Sequence, residues 1–589
     1  MGRNTYNVDE DLSREFDIHA VKRLLSYVGA QKKPMFGAAA LMIIASLASL
    51  VPPYLLKTAI DDLIPRSDVN GLLLLGLITL IAQAIVSIFL HLRIRIMTDM
   101  GQSIIHKLRS DIFEHLQKLG FTYFDSRPHG KILIRVVNYV NSLSDLLSNG
   151  IINLISDLFS LVFIIGFMLF IDVRLTMVCL TGLPLMAIVV LSLKRKQRIT
   201  WQAHSRKQSN LNAYLHESLS GVRITQSFAR ERKTDGIFNG LGREVYGSWM
   251  AAVKAFFLVW PGIELISVIG VAAVYISGVG RLDEGMQVGV LVAFIGYVWR
   301  FWAPMVTIGN FYSNLVQSAA YLERIFETID EPIDDPLDAS WPSLPPINGQ
   351  VTFKHVDFSY DAGHPILHDV DFQVEPGTSV AIVGPTGAGK TTIVSLLSRF
   401  YRPTSGSVWI DGIDIAKVNH RSIRTQVGVM LQDSFLFSGT IADNIRYGKL
   451  DATDEEVEAA SRAVQAHEFI MGLPEGYKTV VNERGSRLSM GQRQLISFAR
   501  ALLADPAILI LDEATSSVDT ETERAIQKGM RTLLAGRTSF VIAHRLSTIK
   551  HVDTIMFVDG GRIVEQGSHD ELCAVKGAYW KLYASAQQE

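Results

Sequence analysis

The sequence predicts a polytopic α-helical membrane domain of six spans fused to a soluble α/β domain built around a phosphate-binding loop. Three observations carry this reading. Runs of about 20 apolar residues, the length that crosses a hydrocarbon core, recur up to residue 322 of the 589. Beyond that point strand-like and helix-like segments alternate, as in a soluble α/β domain. Within the second part, a glycine-rich loop, "GPTGAGKT" (384–391), stands between a β-branched strand and a helix.

The composition agrees with a split chain, at 48% hydrophobic and 19% charged residues. A net charge of -2 argues neither way about nucleic acid, which is not among the expected partners. Two cysteines, Cys179 and Cys573, are too few for a disulfide framework and are read as packing residues. The N-terminus is polar and charged, unlike a secretory signal peptide.

The expected spans are Met35–Leu56, Gly71–Leu92, Ser148–Ile171, Leu175–Leu193, Ala255–Gly280 and Gly285–Asn310, the last helix continuing to Leu322. Lysine and arginine set the orientation. The first 34 residues hold six, segment 93–147 holds eight and segment 194–249 holds eleven. Segments 61–70, 172–174 and 279–284 hold one each. Both termini are therefore expected in the cytoplasm of a multi-pass protein of the cell (plasma or inner) membrane, with the long internal segments extending the spans into the cytosol. The expected domains are a cytoplasmic N-terminus (1–34), the membrane domain (35–330), a proline-rich linker (331–350) and the soluble domain (351–589).

Just before the first span, "HAVKRLLSYVGAQKK" places Val21, Leu24, Leu25 and Val28 at helical spacing and reads as an amphipathic helix lying in the membrane surface; a short helix packed on protein is the alternative. Charges inside spans are costly and mark functional candidates; here they are Asp157, Lys254, Glu264 and Arg300. The bland alternative is that Lys254 snorkels and the others pair with each other or face a wet cavity. The aromatic run "YVWRFW" (297–302) suits a drug-binding cavity, and equally an interfacial belt or helix packing. Pro52, Pro53, Pro261 and Pro304 are expected kinks.

In the soluble half, the loop residues Gly384, Pro385, Thr386, Gly387, Ala388 and Gly389, with Lys390, Thr391 and Thr392 opening the helix, form a phosphate cradle. Its glycines let backbone N–H groups converge on phosphate oxygens at a positive helix end. Lys390 is expected on the β- and γ-phosphates, and the Thr391 hydroxyl on Mg²⁺. A second strand, "AILILDEA" (507–514), ends in Asp512, a metal-liganding carboxylate at the carboxyl edge of a parallel sheet. Glu513 follows and is positioned to polarise an attacking water. A third strand, "TSFVIAHRL", delivers His544 to the same edge, where it contacts the γ-phosphate or holds the water.

These motifs, in this order, resemble ATP-binding cassette (ABC) exporters, specifically half-transporters of the multidrug or lipid type, over nearly the whole chain. The residues carrying the resemblance are Gly384–Thr391, "LQDSFLFSGTIADNI" with Gln432, "LSMGQ" (488–492), "LILDEATSSVD" (509–519) and "IAHRLST" (542–548). The resemblance implies that Tyr360 stacks on adenine and that two chains dimerise head to tail with ATP between them. Ser489, Met490, Gly491 and Gln492 would then bind the γ-phosphate held by the partner. Gln432 would join Thr391 and Asp512 around Mg²⁺, Asp519 would couple the two sites, and Glu483 would contact the transmission helices. Segments near Phe121–Asp125 and Arg206–Tyr214 match the family's short coupling helices. Alternating access, driven by ATP binding and reset by hydrolysis, is the implied mechanism.

The family's signature reads L-S-G-G-Q, so Met490 departs from it, as do Leu495 (arginine is frequent there) and Asn482 (glycine is frequent). Methionine at a positive φ would be strained, whereas on ordinary backbone it adds only bulk. An intact phosphate loop, Asp512, Glu513 and His544 beside an altered signature resemble the catalytically complete member of a heterodimeric exporter; a homodimer is the alternative. The expected activity is ATP-driven export of an amphipathic drug- or lipid-like substrate, with membrane lipid as surroundings. Export of a peptide or other specific solute, or an ATP-gated channel, are the alternatives.

Overall fold

The computed structural model describes residues 18–29, 31–146, 150–333, 340–361, 363–430, 434–482, 485, 487–512, 520–542, 549–550 and 552–586. Two compact units emerge: residues 1–118 with 127–331, and residues 119–126 with 332–589.

The first unit is helical throughout its described residues. Its long rods are Lys32–Thr58, Val69–Leu116, Ile151–Ile171, Val173–Leu180 continuing as Gly182–Ser220, Glu231–Phe257 continuing as Val259–Val279, and Val288–Ile329. At 1.5 Å per residue the 48-residue Val69–Leu116 measures about 70 Å, more than twice a hydrocarbon core. Four rods are long and apolar enough, among the described residues, to cross a membrane; the apolar parts of the other two are Val173–Met186 and Val288–Trp302. Asp68 starts the second rod by accepting from the Gly71 N–H at 2.9 Å.

The prolines explain two residues that the sequence leaves ambiguous. A proline has no N–H for the carbonyl four residues earlier, so Pro53 leaves the Ser49 carbonyl without its helical donor. The Arg300 guanidinium donates to that oxygen, and the buried Tyr297 hydroxyl donates to the adjacent Leu50 carbonyl at 2.6 Å. Arg300 thus serves the backbone, and no ion pair to it is seen among the described residues. Tyr297, Phe301 and Trp302 are buried among Met168, Cys179 and Phe294, so this part of the aromatic run packs between helices. Only Trp299 is substantially exposed there. Asp157 hydrogen-bonds Thr307 within reach of the Arg93 charge, while Lys254 and Glu264 sit on exposed helix faces.

The N-terminal helix forms at Ile18–Gly29, and part of its apolar face packs on protein. Ala20, Leu24 and Val28 are buried on protein. Arg23 lies 4.1 Å over the Phe326 ring and pairs with Asp330, and the Tyr27 hydroxyl donates to Asp111 at 3.1 Å. Two specific side-chain bonds and the buried residues Ala20, Leu24 and Val28 fix it along the helix ends Val69–Leu116 and Val288–Ile329.

In the second unit, β1 (Val351–Ser359), β2 (Pro365–Val374), β4 (Ser405–Ile410) and β5 (Ile413–Asp414) form an antiparallel sheet in the order β2-β1-β4-β5. The main sheet is β12-β11-β3-β10-β9-β6, built from β3 (Ser379–Val383), β6 (Val427–Met430), β9 (Ile508–Asp512), β10 (Thr538–Ile542), β11 (Thr554–Asp559) and β12 (Arg562–Gly567). It is parallel except for β12. A short ribbon pairs β7 (Gly439–Thr440) with β8 (Val480–Val481). A parallel sheet is covered on both faces, so its strands read as near-continuous apolar runs. Ala381, Val383, Leu509, Leu511 and Val541 enter one core, and Val380, Ile382, Ile508, Ile510 and Phe540 enter the other.

The stretch expected as a linker is, from residue 340, part of this unit. Trp341 stacks under Arg399 and Arg402 at 5.0 and 5.2 Å, Leu344 is buried, and Asp411 accepts from the Gln350 N–H at 2.7 Å.

Candidate functional site

Strand register gathers the functional segments at one edge of the main sheet. Ile542 pairs with both Ile382 and Asp512, and Leu511 pairs with Met430. The phosphate loop leaves β3 at this edge, Asp512 closes β9 there, and Gln432 and His544 follow two residues after the ends of β6 and β10. Gln432, Glu483, Glu513, Asp519 and His544 lie outside the described residues.

Between β3 and the helix Lys390–Leu397 the chain turns through positive φ at Gly384 (149°), Gly387 (82°) and Gly389 (102°). At Gly384 a Cβ would stand 2.0 Å from the Val558 carbonyl oxygen, so only glycine fits. Pro385, Thr386 and Gly387 form the exposed crest, while Ala388 and Gly389 are buried. Lys390, 7% exposed, donates from Nζ to the carbonyl oxygens of Gly384 and Pro385, each at 2.9 Å. Burial holds its ammonium below the ordinary lysine range, and the Asp512 carboxylate partly offsets this. A buried cation at a helix N-terminus, under a glycine-rich turn, fits a polyphosphate. Thr391 is exposed at the second position of that helix, with its hydroxyl available to a metal ion.

Tyr360 follows β1 immediately. Its hydroxyl lies 3.3 Å from the Thr392 hydroxyl, and its ring meets those of Phe358 and Tyr401 edge-on at 4.8 and 5.0 Å. Tyr360 is 45% exposed, an aromatic platform held beside the phosphate loop.

The second anion-binding element is the helix Met490–Ala504. Ser489 caps it: its hydroxyl accepts from the Gln492 N–H at 3.2 Å, and Gln492 Oε1 accepts from the Ser489 N–H at 3.0 Å. The N–H groups of Met490 and Gly491 open the helix, where backbone donors have no intrahelical partner. Met490 is not among the residues at positive φ and is 45% exposed. Its backbone is ordinary helix, so it adds bulk without strain. Leu495, the second departure, is 2% exposed and continues the apolar face of this helix with Ile496, Phe498 and Ala499. Asn482 also keeps negative φ, and its carbonyl accepts from the Gly485 N–H at 2.8 Å.

Two short helices were expected at the tips of the long rods. Phe121–Asp125 is such a helix and groups with the second unit. Arg206–Tyr214 is not: it lies in the continuous helix Gly182–Ser220, and the short helix is Val222–Ser227. Gly221 ends the long rod, a helix-stop signal present in the sequence. At this tip Leu219, Ile224 and Phe228 are 67–72% exposed.

Residues 35–305 match the family "ABC transporter transmembrane region" and residues 367–516 the family "ABC transporter". The chain is 44% identical to the uncharacterized ABC transporter ATP-binding protein YknV of Bacillus subtilis, over 98% of this chain and 96% of that one. It is 40% identical to a fatty acid ABC transporter ATP-binding/permease protein of Mycobacterium tuberculosis, over 83% of this chain and 77% of the other. An ATP-dependent lipid A-core flippase of Desulfotalea psychrophila is 36% identical over 96% and 98% of the two chains. The solved structure of a bacterial Atm1-family ABC exporter with ATP bound superposes with a TM-score of 0.80 at 31% identity, covering 94% of this chain and 98% of that one. The chain belongs to the ABC transporter family: it is an exporter half-transporter, an integral membrane protein that binds ATP, acts as a dimer and couples ATP hydrolysis to transport.

Proposed function

We propose that the cargo is an amphipathic, drug- or lipid-like molecule, and that this chain contributes the catalytically complete ATP site of a heterodimer. The observation that carries the ATPase assignment is the loop Gly384–Thr391, where buried Lys390, within reach of the Asp512 carboxylate, lies under a glycine-rich turn. Lys390 and the loop N–H groups hold and neutralise the β- and γ-phosphates. Thr391, Gln432 and Asp512 are the residues that would hold Mg²⁺, whose charge stabilises the phosphoryl group in flight. Glu513 orients the attacking water and His544 the γ-phosphate, while Tyr360 stacks on the base. Ser489, Met490 and Gly491 serve the partner's nucleotide through the capped helix end.

Relatives named for fatty acid and lipid A-core transport support an amphipathic cargo. Glu264, exposed on the apolar helix Val259–Val279, is too costly to leave in lipid and suits a cavity that takes a cationic amphiphile. The exposed tip at Leu219, Ile224 and Phe228 is an apolar patch for the second chain to cover. The lysine and arginine distribution supports a cytoplasmic location for both termini. Residues 35–330 and 351–589 are taken as the two functional domains.

The test is ATP hydrolysis by this chain alone in lipid nanodiscs, with the oligomeric mass read from the same sample. Little turnover, restored by co-expression of a second half-transporter, is expected; vigorous turnover by a dimer of identical chains would establish a homodimer in which Met490 is tolerated.

A further inference from the structure

The second unit contains a continuous side-chain connection between the nucleotide platform and the short helix Phe121–Asp125. Tyr401, four residues past the end of the phosphate-loop helix, is its centre. One edge of the Tyr401 ring meets Tyr360 at 5.0 Å and 90°, and a second contact reaches Phe358 at 5.7 Å. Its hydroxyl donates to the Asp125 carboxylate. The neighbouring Phe400 packs on Phe121 with ring centroids 4.3 Å apart, and the Arg424 guanidinium caps both rings at 6.0 and 5.5 Å. Among the described contacts of the short helix, the Phe121 packing is indifferent to nucleotide, whereas the Asp125 hydrogen bond is carried on the ring that braces Tyr360.

We infer that Tyr401 is a positioning residue that transmits occupancy of the adenine platform to the helix Phe121–Asp125. The inference rests on the reading of Tyr360 as the adenine-stacking residue. An edge-to-face pair holds its partner ring at a set angle, so a base stacked on Tyr360 fixes Tyr360 and, through it, Tyr401. The Tyr401 hydroxyl is rigidly attached to that ring, and a hydrogen bond to a carboxylate is directional and stronger than a neutral one. Asp125 therefore follows the ring, and with it the chain that runs back into the helix Val69–Leu116. The ring and the hydroxyl of one residue thus do separable work: the ring supports nucleotide binding, and the hydroxyl passes its effect on.

That separation gives the test. Wild type, Tyr401→Phe, Tyr401→Leu and Asp125→Ala are reconstituted as full chains in lipid nanodiscs, with the co-expressed second half-transporter where turnover requires it. ATP KM is measured beside hydrogen–deuterium exchange of peptides covering 119–126, with and without ATP and vanadate. Tyr401→Phe and Asp125→Ala should keep KM within about twofold and lose at least about fivefold of the ATP-dependent change in exchange, the scale of one charge-assisted hydrogen bond. Tyr401→Leu should lose that response and also raise KM severalfold. A merely structural Tyr401 would move KM and exchange together in all three variants, and that result overturns the inference. So does an undiminished ATP response in both Tyr401→Phe and Asp125→Ala. Tyr360→Leu is the control for the underlying reading: an unchanged KM there removes Tyr360 as the adenine platform, whatever the Tyr401 variants do.

Discussion

Restoring the family's glycine at position 490 is a sharp test of how the signature helix is built. Met490 occupies the first helical position after the Ser489 cap, at negative φ and 45% exposed. Glycine would therefore relieve no strain. It would lose about half of the 1.5–3 kcal/mol that a fully buried methionine contributes, so about 1 kcal/mol. A helix-interior glycine costs about 1 kcal/mol more, less at a helix's first position. The sum, between about 1 and 2 kcal/mol, corresponds to a melting shift of roughly 2–8 °C for a unit of this size. The assay is a thermal melt of the nanodisc-embedded protein with ATP turnover measured alongside. Met490→Gly should melt within that range, keep this chain's own ATP affinity, and change only turnover at the site its signature serves. A melting loss beyond about 10 °C would refute the reasoning, because Met490 would then be a packed residue.

Other substitutions test the phosphate cradle and its surroundings. Ser489→Ala removes the helix cap and should cost about 1 kcal/mol of stability, seen as a lower melting temperature, together with reduced turnover. Gly384→Ala puts a methyl 2.0 Å from the Val558 carbonyl and should abolish ATP binding in a fluorescent-nucleotide titration; retained affinity would contradict the loop geometry. Lys390→Ala should weaken ATP binding at least tenfold by the same titration. Because burial lowers the Lys390 pKa, the ammonium is lost at a lower pH than for an ordinary lysine. ATP affinity should therefore fall on the alkaline side before 10.5, the ordinary lysine value, and Lys390→Arg should remove that fall. Glu513→Gln should trap ATP and nearly abolish turnover, and vigorous steady-state hydrolysis would remove Glu513 as the essential base.

The sequence made the architecture legible because both halves are written in strong periodicities. Apolar runs longer than a bilayer is thick announce the rods, and three apolar strands ending in Lys390's loop, Asp512 and His544 announce a parallel sheet with its chemistry at one edge. What stayed hidden depends on contacts far apart in the chain. Arg300 reads as an intramembrane charge until the Ser49 carbonyl freed by Pro53 is seen beside it. The amphipathic stretch 18–29 has the pattern of a membrane-surface helix, and only Asp111, Phe326 and Asp330 show that protein receives it. The resemblance places the second short helix at Arg206–Tyr214, whereas Gly221 ends the rod and Val222–Ser227 forms the short helix. Met490 was ambiguous because one letter does not state its φ.

The central claim is coupling of hydrolysis at Lys390's site to movement of cargo. It is tested most directly by uptake of a cationic amphipathic dye into inside-out proteoliposomes, with the co-expressed second half-transporter present and Lys390→Ala as control. The account predicts accumulation against the gradient that requires ATP, saturates with dye and disappears in Lys390→Ala. Flux that only dissipates a gradient, rises linearly with dye and proceeds without hydrolysis would contradict it and identify an ATP-gated channel.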